Sequence, residues 1–193
     1  MRNSPLSTTD FSDMEAIIRE SYPGIGIKNY LENLYERFPK AFVVSRGMDG
    51  KIFGLAVIVP VTSQYAANFE SGKFAGINYA PFPEDAIAPR EIPYQQVILD
   101  GIFVAKKSRG LGTHTLMKGI AGLIHERKVN GLPISRIIAL ADIPTGHQFY
   151  SKGLEMEHIM SFGNDIAIYA ATAEDFIKGW FENGLYGKIS AKL

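Results

Sequence analysis

The stretch VAKKSRGLGTHTLMKGIAG, residues 104–122, joins two different hydrophobic patterns. The apolar run that precedes it, QQVILDGIFVA (95–105), predicts a strand. Apolar residues then recur with a period of 3.6 residues and predict a helix from Leu116 to about Lys128, with a stripe formed by Leu116, Ile120, Leu123 and Ile124. Gly110 and Gly112 lie between the two patterns. Glycine is used where the chain turns sharply or another group comes close, so the turn itself is the candidate site.

A glycine-rich turn between a strand and a helix is a typical site for an anion. Backbone N–H groups at a helix N-terminus have no partner within the helix, and the helix dipole adds positive potential there. Lys106, Lys107 and Arg109 add three cations to the same turn. The pattern therefore predicts a site for a phosphate or pyrophosphate group.

Two common nucleotide motifs do not fit this turn. The P-loop pattern Gly-x-x-x-x-Gly-Lys-Ser/Thr is absent. The dinucleotide pattern Gly-x-Gly-x-x-Gly has Thr115 at its last position, and the acidic residue expected about 20 residues further on is missing. KSRGLG (107–112) instead resembles the acyl-CoA turn of the GNAT N-acyltransferases, Gln/Arg-x-x-Gly-x-Gly/Ala, with Lys107 in the first position.

Three further segments resemble the same family in the order in which the family has them. DGKIFGLAVIV (49–59) resembles its second hairpin, RIIALA (136–141) its fifth strand, and GHQFYSKGLE (146–155) the element that carries its tyrosine. Four departures accompany the match. Lys107 replaces Gln or Arg, and one residue is inserted before Leu116. The spacing from Tyr150 to the next glycine is one residue short, and the asparagine that often follows the fifth strand has no counterpart. A register that starts at Arg109 would put His114 where Gly or Ala belongs.

The resemblance implies how acetyl-CoA or another acyl-CoA binds as co-substrate. Main-chain groups of the strand before the turn would pair with the pantetheine arm, and the turn would surround the pyrophosphate. The strand residues are Ile102, Phe103 and Val104; the turn residues are Lys107, Arg109, Gly110, Leu111, Gly112 and Thr113.

The resemblance also implies direct attack of an amine on the thioester, which needs a base and a proton donor. Asp100 is the first candidate for the base, with Glu91 and Asp142 as weaker ones. Tyr150 matches the family's tyrosine, which assists the departing thiolate. Two non-catalytic alternatives stay open: Asp100 is paired with a neighbour, and Tyr150 is an ordinary buried aromatic residue.

The remaining segments predict a mixed α/β fold. Two amphipathic helices lie before a hairpin around Asp49-Gly50, and two strands and a helix capped by Thr172 follow the tyrosine segment. The resemblance implies a single GNAT-like domain over residues 1–193, with a mixed central sheet and helices on both faces. Residues 62–94 show no clear period and are interpreted as an insertion, whose aromatic residues either form the wall of the acceptor site or cover the sheet or a dimer interface. A homodimer is left open.

Composition narrows the choice of partners. The chain has 193 residues, 46% of them hydrophobic, with 20 basic and 20 acidic residues, which argues against a nucleic-acid or membrane partner. No apolar run is long enough to span a bilayer and the first residues lack a signal peptide, so a cytoplasmic protein is expected. There is no cysteine. His114 and His125 would lie about 16 Å apart along one helix, so no metal site is expected.

The function predicted from these observations is transfer of an acetyl or other short acyl group from acyl-CoA to a primary amine, on a small molecule or a peptide. The alternative is a module of the same fold that binds acyl-CoA without turnover, as a sensor or scaffold. A transferase that acts on a protein or an aminoacyl-tRNA is a third possibility, and the neutral net charge makes the RNA form less favourable.

Overall fold

The computed structural model describes residues 5–73, 86, 95–142, 144–162 and 165–183. Its strands form one six-stranded sheet in the order β1-β2-β3-β4-β6-β5. The described helices are α1 (Thr8–Arg19), α2 (Lys28–Arg37), α3 (Ser63–Glu70), α4 (Leu111–Val129), α5 (Pro144–Gln148) and α6 (Ala173–Lys178). The strands are β1 (Phe42–Arg46), β2 (Ile52–Val61), β3 (Gln96–Val104), β4 (Arg136–Ala141), β5 (Glu157–Phe162) and β6 (Ile166–Thr172).

Two compact units make up the described part of the chain. The first contains the described residues within 1–57 and 101–120, and the second those within 58–100 and 121–193. The strand pairings are of both kinds, because β3 and β4 are parallel whereas β1–β2, β4–β6 and β5–β6 are antiparallel. The predicted α/β fold with a mixed central sheet is confirmed.

In the first unit, β1 and β2 form the predicted hairpin. Phe42 pairs with Val57 and Ser45 with Gly54, and β2 carries one extra residue where the register shifts between Ser45 and Arg46. Gly50 has a φ of 79°, which a side chain would oppose. The Asp49-Gly50 pair therefore closes the hairpin for the conformational reason that the sequence indicates.

Helices cover both faces of this hairpin. The Phe42 ring packs against Phe11 of α1 and Tyr35 of α2, with centroids 6.4 and 5.6 Å apart. Val43 contacts α4, where a Cβ built on Gly119 would lie 2.5 Å from its Cγ1. Because successive side chains of a strand point to opposite faces, α1 and α2 lie on one face of the hairpin and α4 on the other. The prediction of helices on both faces is confirmed for this unit.

In the second unit, β4 is the central strand. It pairs in parallel with β3 from Gln96↔Arg136 to Leu99↔Ala139, and antiparallel with β6 from Arg136↔Thr172 to Ala141↔Ala167. Ile137, Ile138 and Ala139 are all buried. A strand with neighbours on both edges and burial on both faces is expected to show this continuous apolar run.

The segment interpreted as an insertion contains a helix that the sequence did not predict. The Thr62 hydroxyl accepts a hydrogen bond from the Tyr65 N–H at 3.2 Å and caps α3. Tyr65 and Phe69 are buried on this helix, and Glu70 at its end forms an ion pair with Arg136 of β4. These two aromatic side chains therefore belong to the core, while residues 74–85 and 87–94 lie outside the described residues.

Candidate functional site

Within the first unit, the link between β3 and α4 is held by three main-chain donors. The Ala105 N–H donates to the Phe53 carbonyl at 2.9 Å, and the Ser108 N–H donates to the Ala105 carbonyl at 2.8 Å across a 3₁₀ turn. The Lys106 N–H donates to a carboxylate oxygen of Glu20, at the end of α1, at 2.8 Å. Phe53 and Glu20 thus fix where the strand ends and the turn begins.

Helix α4 begins at Leu111, five residues before the predicted start. The His114 N–H donates to the Gly110 carbonyl at 3.0 Å, which makes 111–113 the first turn. Amides in a first turn have no acceptor inside their helix, and no hydrogen bond among the described residues uses those of Leu111, Gly112 or Thr113. The residues expected to surround a pyrophosphate therefore include three donors at the positive end of a 19-residue helix.

The charged side chains of this turn strengthen its attraction for an anion. Lys106, Lys107 and Arg109 are all exposed, and none forms an ion pair within the described part of the chain. The first turn of α4 contains no acidic residue. Donors and cations at one helix start are the arrangement that binds phosphate groups.

The two positions in the turn that are occupied by glycine favour it for different local reasons. Gly110 has a φ of 93° and no neighbour within 4 Å of an added Cβ, so its conformation is what favours glycine. At Gly112 an added Cβ would lie 2.8 Å from Val104 Cγ1 and 3.2 Å from Phe53 Cε2. Gly112 therefore lets the helix approach the strands closely, which is a packing role that the motif alone does not reveal.

Strand β3 also offers the main-chain groups expected to pair with a pantetheine arm. Its pairing with β4 ends at Leu99, five residues before the strand ends. The Ala105 N–H points to β2, and neighbouring residues of a strand alternate in direction. The main-chain groups of Ile102 and Val104 therefore point to the edge away from β2, and those of Phe103 point toward it.

Two residues near this strand were not predicted from the sequence. Tyr22 packs edge-on against the Phe103 ring, with centroids 6.1 Å apart, and Glu20 holds the Lys106 amide. The Phe103 ring covers its own strand, since a Cβ on Gly101 would lie 2.2 Å from Phe103 Cε2. Both new residues come from a segment more than 80 positions earlier, so no local pattern connects them with the turn.

The two predicted catalytic residues belong to the second unit. Asp100 is half-buried in β3, and Tyr150 is buried in a π-helical turn over Phe149–Gly153. The Tyr150 ring contacts those of Phe149 and Tyr169, at centroid distances of 5.6 and 5.8 Å. The π turn coincides with the place where the spacing departs from the family pattern.

The weaker candidates for the base and the two histidines lie in different parts of the chain. Asp142 is half-buried after β4, and Glu91 lies outside the described residues. His114 and His125 both lie on α4, and burial together with the Lys118 charge lowers the pKa of His114. In the part of the chain that the structure describes, no group of three or more His, Asp or Glu side chains could hold a metal. Nor is any described helix long and apolar enough to cross a membrane.

Comparison with known proteins gives structural similarity without sequence similarity. No family model matches the sequence, and no curated protein matches it. GphF, a GNAT-like decarboxylase solved with isobutyryl-CoA, is 13% identical with a TM-score of 0.60 over 86% of this chain and 96% of its own. A GNAT-family acetyltransferase from Staphylococcus aureus Mu50 is 13% identical, with a TM-score of 0.56 over 88% and 96% of the two chains.

A third similar structure contains the ligand that the sequence predicts. It is a GNAT superfamily phosphinothricin acetyltransferase from Sinorhizobium meliloti in complex with AcCoA, 14% identical, with a TM-score of 0.52 over 88% of this chain and 86% of its own. At these identities the matches establish the fold alone. The chain therefore has the GNAT fold, as the four sequence segments predict.

Proposed function

We propose that the protein is an acyl-CoA-dependent N-acyltransferase, which moves an acetyl or other short acyl group to a primary amine. The observation that carries the proposal is the start of α4. In a chain with the GNAT fold, three first-turn amides without a helical acceptor lie beside Lys106, Lys107 and Arg109. A pyrophosphate needs both features, directed donors and net positive charge.

The rest of the co-substrate would follow strand β3. The pantetheine arm, which carries amide groups, would add to the strand edge presented by Ile102 and Val104, in the manner of an added β-strand. Phe103 would contribute its side chain and not its main chain. A strand N–H could then donate to the thioester oxygen as negative charge develops there.

The proposed reaction is a direct acyl transfer. The amine nitrogen attacks the thioester carbon, the C–N bond forms, and the C–S bond breaks with its electrons leaving on sulfur. Asp100 is the proposed base that takes the proton from the ammonium group, directly or through water. Tyr150 is the proposed donor to the departing thiolate. The sequence has no cysteine, so no thiol competes with the amine as nucleophile.

The proposal is tested first by CoA binding with charge reversals at both ends of α4. Lys107→Glu and Arg109→Glu place negative charge at the anion site, whereas Lys128→Glu makes the same change at an exposed residue in the last turn. By calorimetry we expect a micromolar Kd for CoA, weakened at least tenfold, or ~1.4 kcal/mol, by either change at the turn. Lys128→Glu should leave the Kd within about twofold, since charge effects at a helix end are local. Equal effects at all three positions would contradict the site.

Turnover then separates the two functional classes. Acetyl-CoA and a panel of small-molecule and peptide amines are incubated with the protein, and release of free CoA thiol is measured. Amine-dependent release supports the transferase. Tight CoA binding with no release on any amine supports a non-catalytic acyl-CoA-binding module, and GphF illustrates that the fold alone does not fix the reaction. Absence of CoA binding would contradict both the transferase and the non-catalytic binding module.

A further inference from the structure

A group of histidine and tyrosine side chains surrounds Tyr169 in the middle of β6. Tyr169 is buried and pairs with Ala139 of β4 on one side and with His158 of β5 on the other. The rings of His147 and His158 both meet the Tyr169 ring nearly edge-on, at centroid distances of 6.0 and 5.5 Å.

His147 is anchored to β6 by both of its ring nitrogens. Nε2 lies 2.9 Å from the Asp165 carbonyl oxygen, and Nδ1 lies 3.2 Å from the Tyr169 hydroxyl. A carbonyl only accepts, so Nε2 carries the hydrogen of that bond. In the neutral ring Nδ1 then accepts, and the Tyr169 hydroxyl is committed as its donor. In that state the bond runs from Tyr169 to His147 and constrains the Tyr169 hydroxyl.

The same histidine precedes Tyr150 by three residues. The Ser151 hydroxyl donates to the His147 carbonyl at 2.6 Å, so the chain is held on both sides of Tyr150. Within the π turn, the Leu154 N–H donates to the Phe149 carbonyl at 2.9 Å. The Tyr150 ring lies against the Tyr169 ring, tilted by 36°. Tyr169 is thus connected to Tyr150 by ring packing and, through His147, by the backbone.

We propose that His147 and Tyr169 form a positioning pair for Tyr150. The inference rests on the proposed function, in which the Tyr150 hydroxyl assists the departing thiolate. A proton donor is effective only when its O–H is held in a fixed direction, and residues behind it supply that constraint. A single π turn is a short and irregular support, so the two bonds of His147 and the face of Tyr169 constrain the Tyr150 ring in addition to its contact with Phe149.

The first test compares Tyr169→Phe with a matched control. Tyr169→Phe keeps the ring and removes only the hydroxyl bonded to His147. His158→Gln changes a residue that touches the same ring from an exposed position and whose hydrogen bond goes to Ser161. We expect Tyr169→Phe to lower kcat about three- to tenfold with the KM for acyl-CoA within about twofold, and His158→Gln to change neither. Unchanged kcat in Tyr169→Phe would overturn the proposal.

A double-mutant cycle asks whether the pair acts through Tyr150. If it does, Tyr150→Phe combined with Tyr169→Phe should be no slower than Tyr150→Phe alone, because the positioned hydroxyl is already gone. Multiplying effects would mean that Tyr169 acts independently and would overturn the proposal. His147→Phe, which keeps a ring and loses both bonds, is the second variant if Tyr169→Phe does not fold, and it should behave in the same way.

A spectroscopic measurement separates this proposal from the function on which it rests. In protein labelled with ¹³Cζ-tyrosine, the Tyr150 signal is assigned by its loss in Tyr150→Phe. Tyr169→Phe should shift that signal and His158→Gln should not. If Tyr150→Phe turns over normally, the assigned role of Tyr150 fails while the shift still supports the positioning contact. An unmoved Tyr150 signal would overturn the pair whatever the activity.

Discussion

Gly112 lies in the first turn of α4, close to two strands of its unit. An added Cβ would meet Val104, whose branched side chain is stiff, and the Phe53 ring. A larger residue at Gly112 would therefore report on packing as well as on the approach of phosphates. This is why charge reversal at Lys107 and Arg109 is the cleaner test of the anion site.

Gly112→Ala should lower stability although alanine favours helix. The overlap with Val104 and Phe53 is expected to cost about 1 to 2 kcal/mol, more than the gain in helix propensity. Gly122→Ala is the matched control, because Gly122 lies in the same helix with nothing within 4 Å of an added Cβ. It should raise the free energy of unfolding by up to ~1 kcal/mol. Urea unfolding followed by circular dichroism measures both, and the same sign for both variants would refute the packing argument.

Tyr150→Phe tests the proposed donor at the level of one atom. The hydroxyl would matter most as charge develops on sulfur, so we expect kcat to fall more than the KM for acetyl-CoA changes. A tenfold fall corresponds to ~1.4 kcal/mol of transition-state stabilisation. Steady-state kinetics with a saturating amine measures the effect. A kcat equal to that of the parent would contradict this role, and Tyr150 would then be an ordinary buried aromatic residue.

The candidate site could be predicted from the sequence only where its residues are neighbours along the chain. Lys107, Arg109 and the two glycines form a local motif, so their common location at the start of α4 was predictable. Glu20 and Tyr22 reach the turn through tertiary contacts, and no pattern within either segment indicates them. The packing role of Gly112 was hidden for the same reason, because Phe53 lies on another strand.

Helix α1 is connected to the hairpin by Asp10, a residue with two roles. Asp10 and Ser7 form a capping box at the start of α1, and the Asp10 carboxylate forms an ion pair with Arg46 of β1. Asp10 is buried, and the hydrogen bond from Arg46 is the largest cause that lowers its pKa from 3.8 to about 2. Ser7 adds to the same shift. The charged form of Asp10 is thus favoured by folding.

This shift predicts an acid-dependent loss of stability with a defined sign. Because the folded pKa lies below the unfolded value, the contribution is complete above pH 3.8 and is lost as the pH falls through about 2. Its size is at most about 2 kcal/mol, since Arg46 is partly exposed and solvent screens the pair. Asp10→Asn should therefore be less stable than the parent at pH 7, with the difference shrinking toward pH 2. Glu157→Gln, a change at an exposed residue, is the control and should not show this pH-dependent difference from the parent. A difference in the free energy of unfolding between Asp10→Asn and the parent that stays constant with pH would contradict the role of the Asp10 carboxylate.

Elements were predictable where local chemistry agrees with the tertiary structure. Asp49-Gly50 closes a hairpin because its turn needs the conformation that glycine allows, and Thr172 caps α6 as its position indicates. The start of α4 was placed too late, because Gly112 and Thr113 are weak helix formers that tertiary packing overrides. Helix α3 is eight residues long and its apolar residues gave no clear period, so only the Thr62 cap could have indicated it.

On the scale of the whole molecule, the equal numbers of acidic and basic residues matter for the anionic co-substrate. With a formal net charge of zero, the protein as a whole exerts no long-range attraction on CoA. Attraction must come from the local cations of the turn and the dipole of α4. For the acceptor, in contrast, the described residues contain no comparable cluster of charges and donors. The sequence predicts that the segment between α3 and β3 contributes to the acceptor site.

The last prediction concerns that segment, which the sequence offers as the wall of the acceptor site. Two anchors hold this segment in the second unit. Glu70, where α3 ends, pairs with Arg136, and the buried Ala86, within the segment, accepts a hydrogen bond from the Thr62 N–H at 3.0 Å. Residues 74–85, between these anchors, lie outside the described part of the chain and include Phe74, Tyr79 and Phe82. Replacing 74–85 by a Gly-Ser sequence of equal length keeps α3 and both anchors, so the fold should persist.

In that variant we expect amine turnover to fall at least tenfold. The Kd for CoA should stay within about twofold of the parent, since the residues of the anion site and residues 74–85 are separate regions of the sequence. The control is a variant of equal length that keeps the three aromatic residues and replaces only the remaining positions. It should retain most of the activity if contact of the aromatic side chains with the acceptor is what matters. Turnover of the same amine at the parental rate in the full replacement would contradict the acceptor role. The aromatic residues would then be assigned to covering the sheet or a dimer interface, which sedimentation of both variants would distinguish.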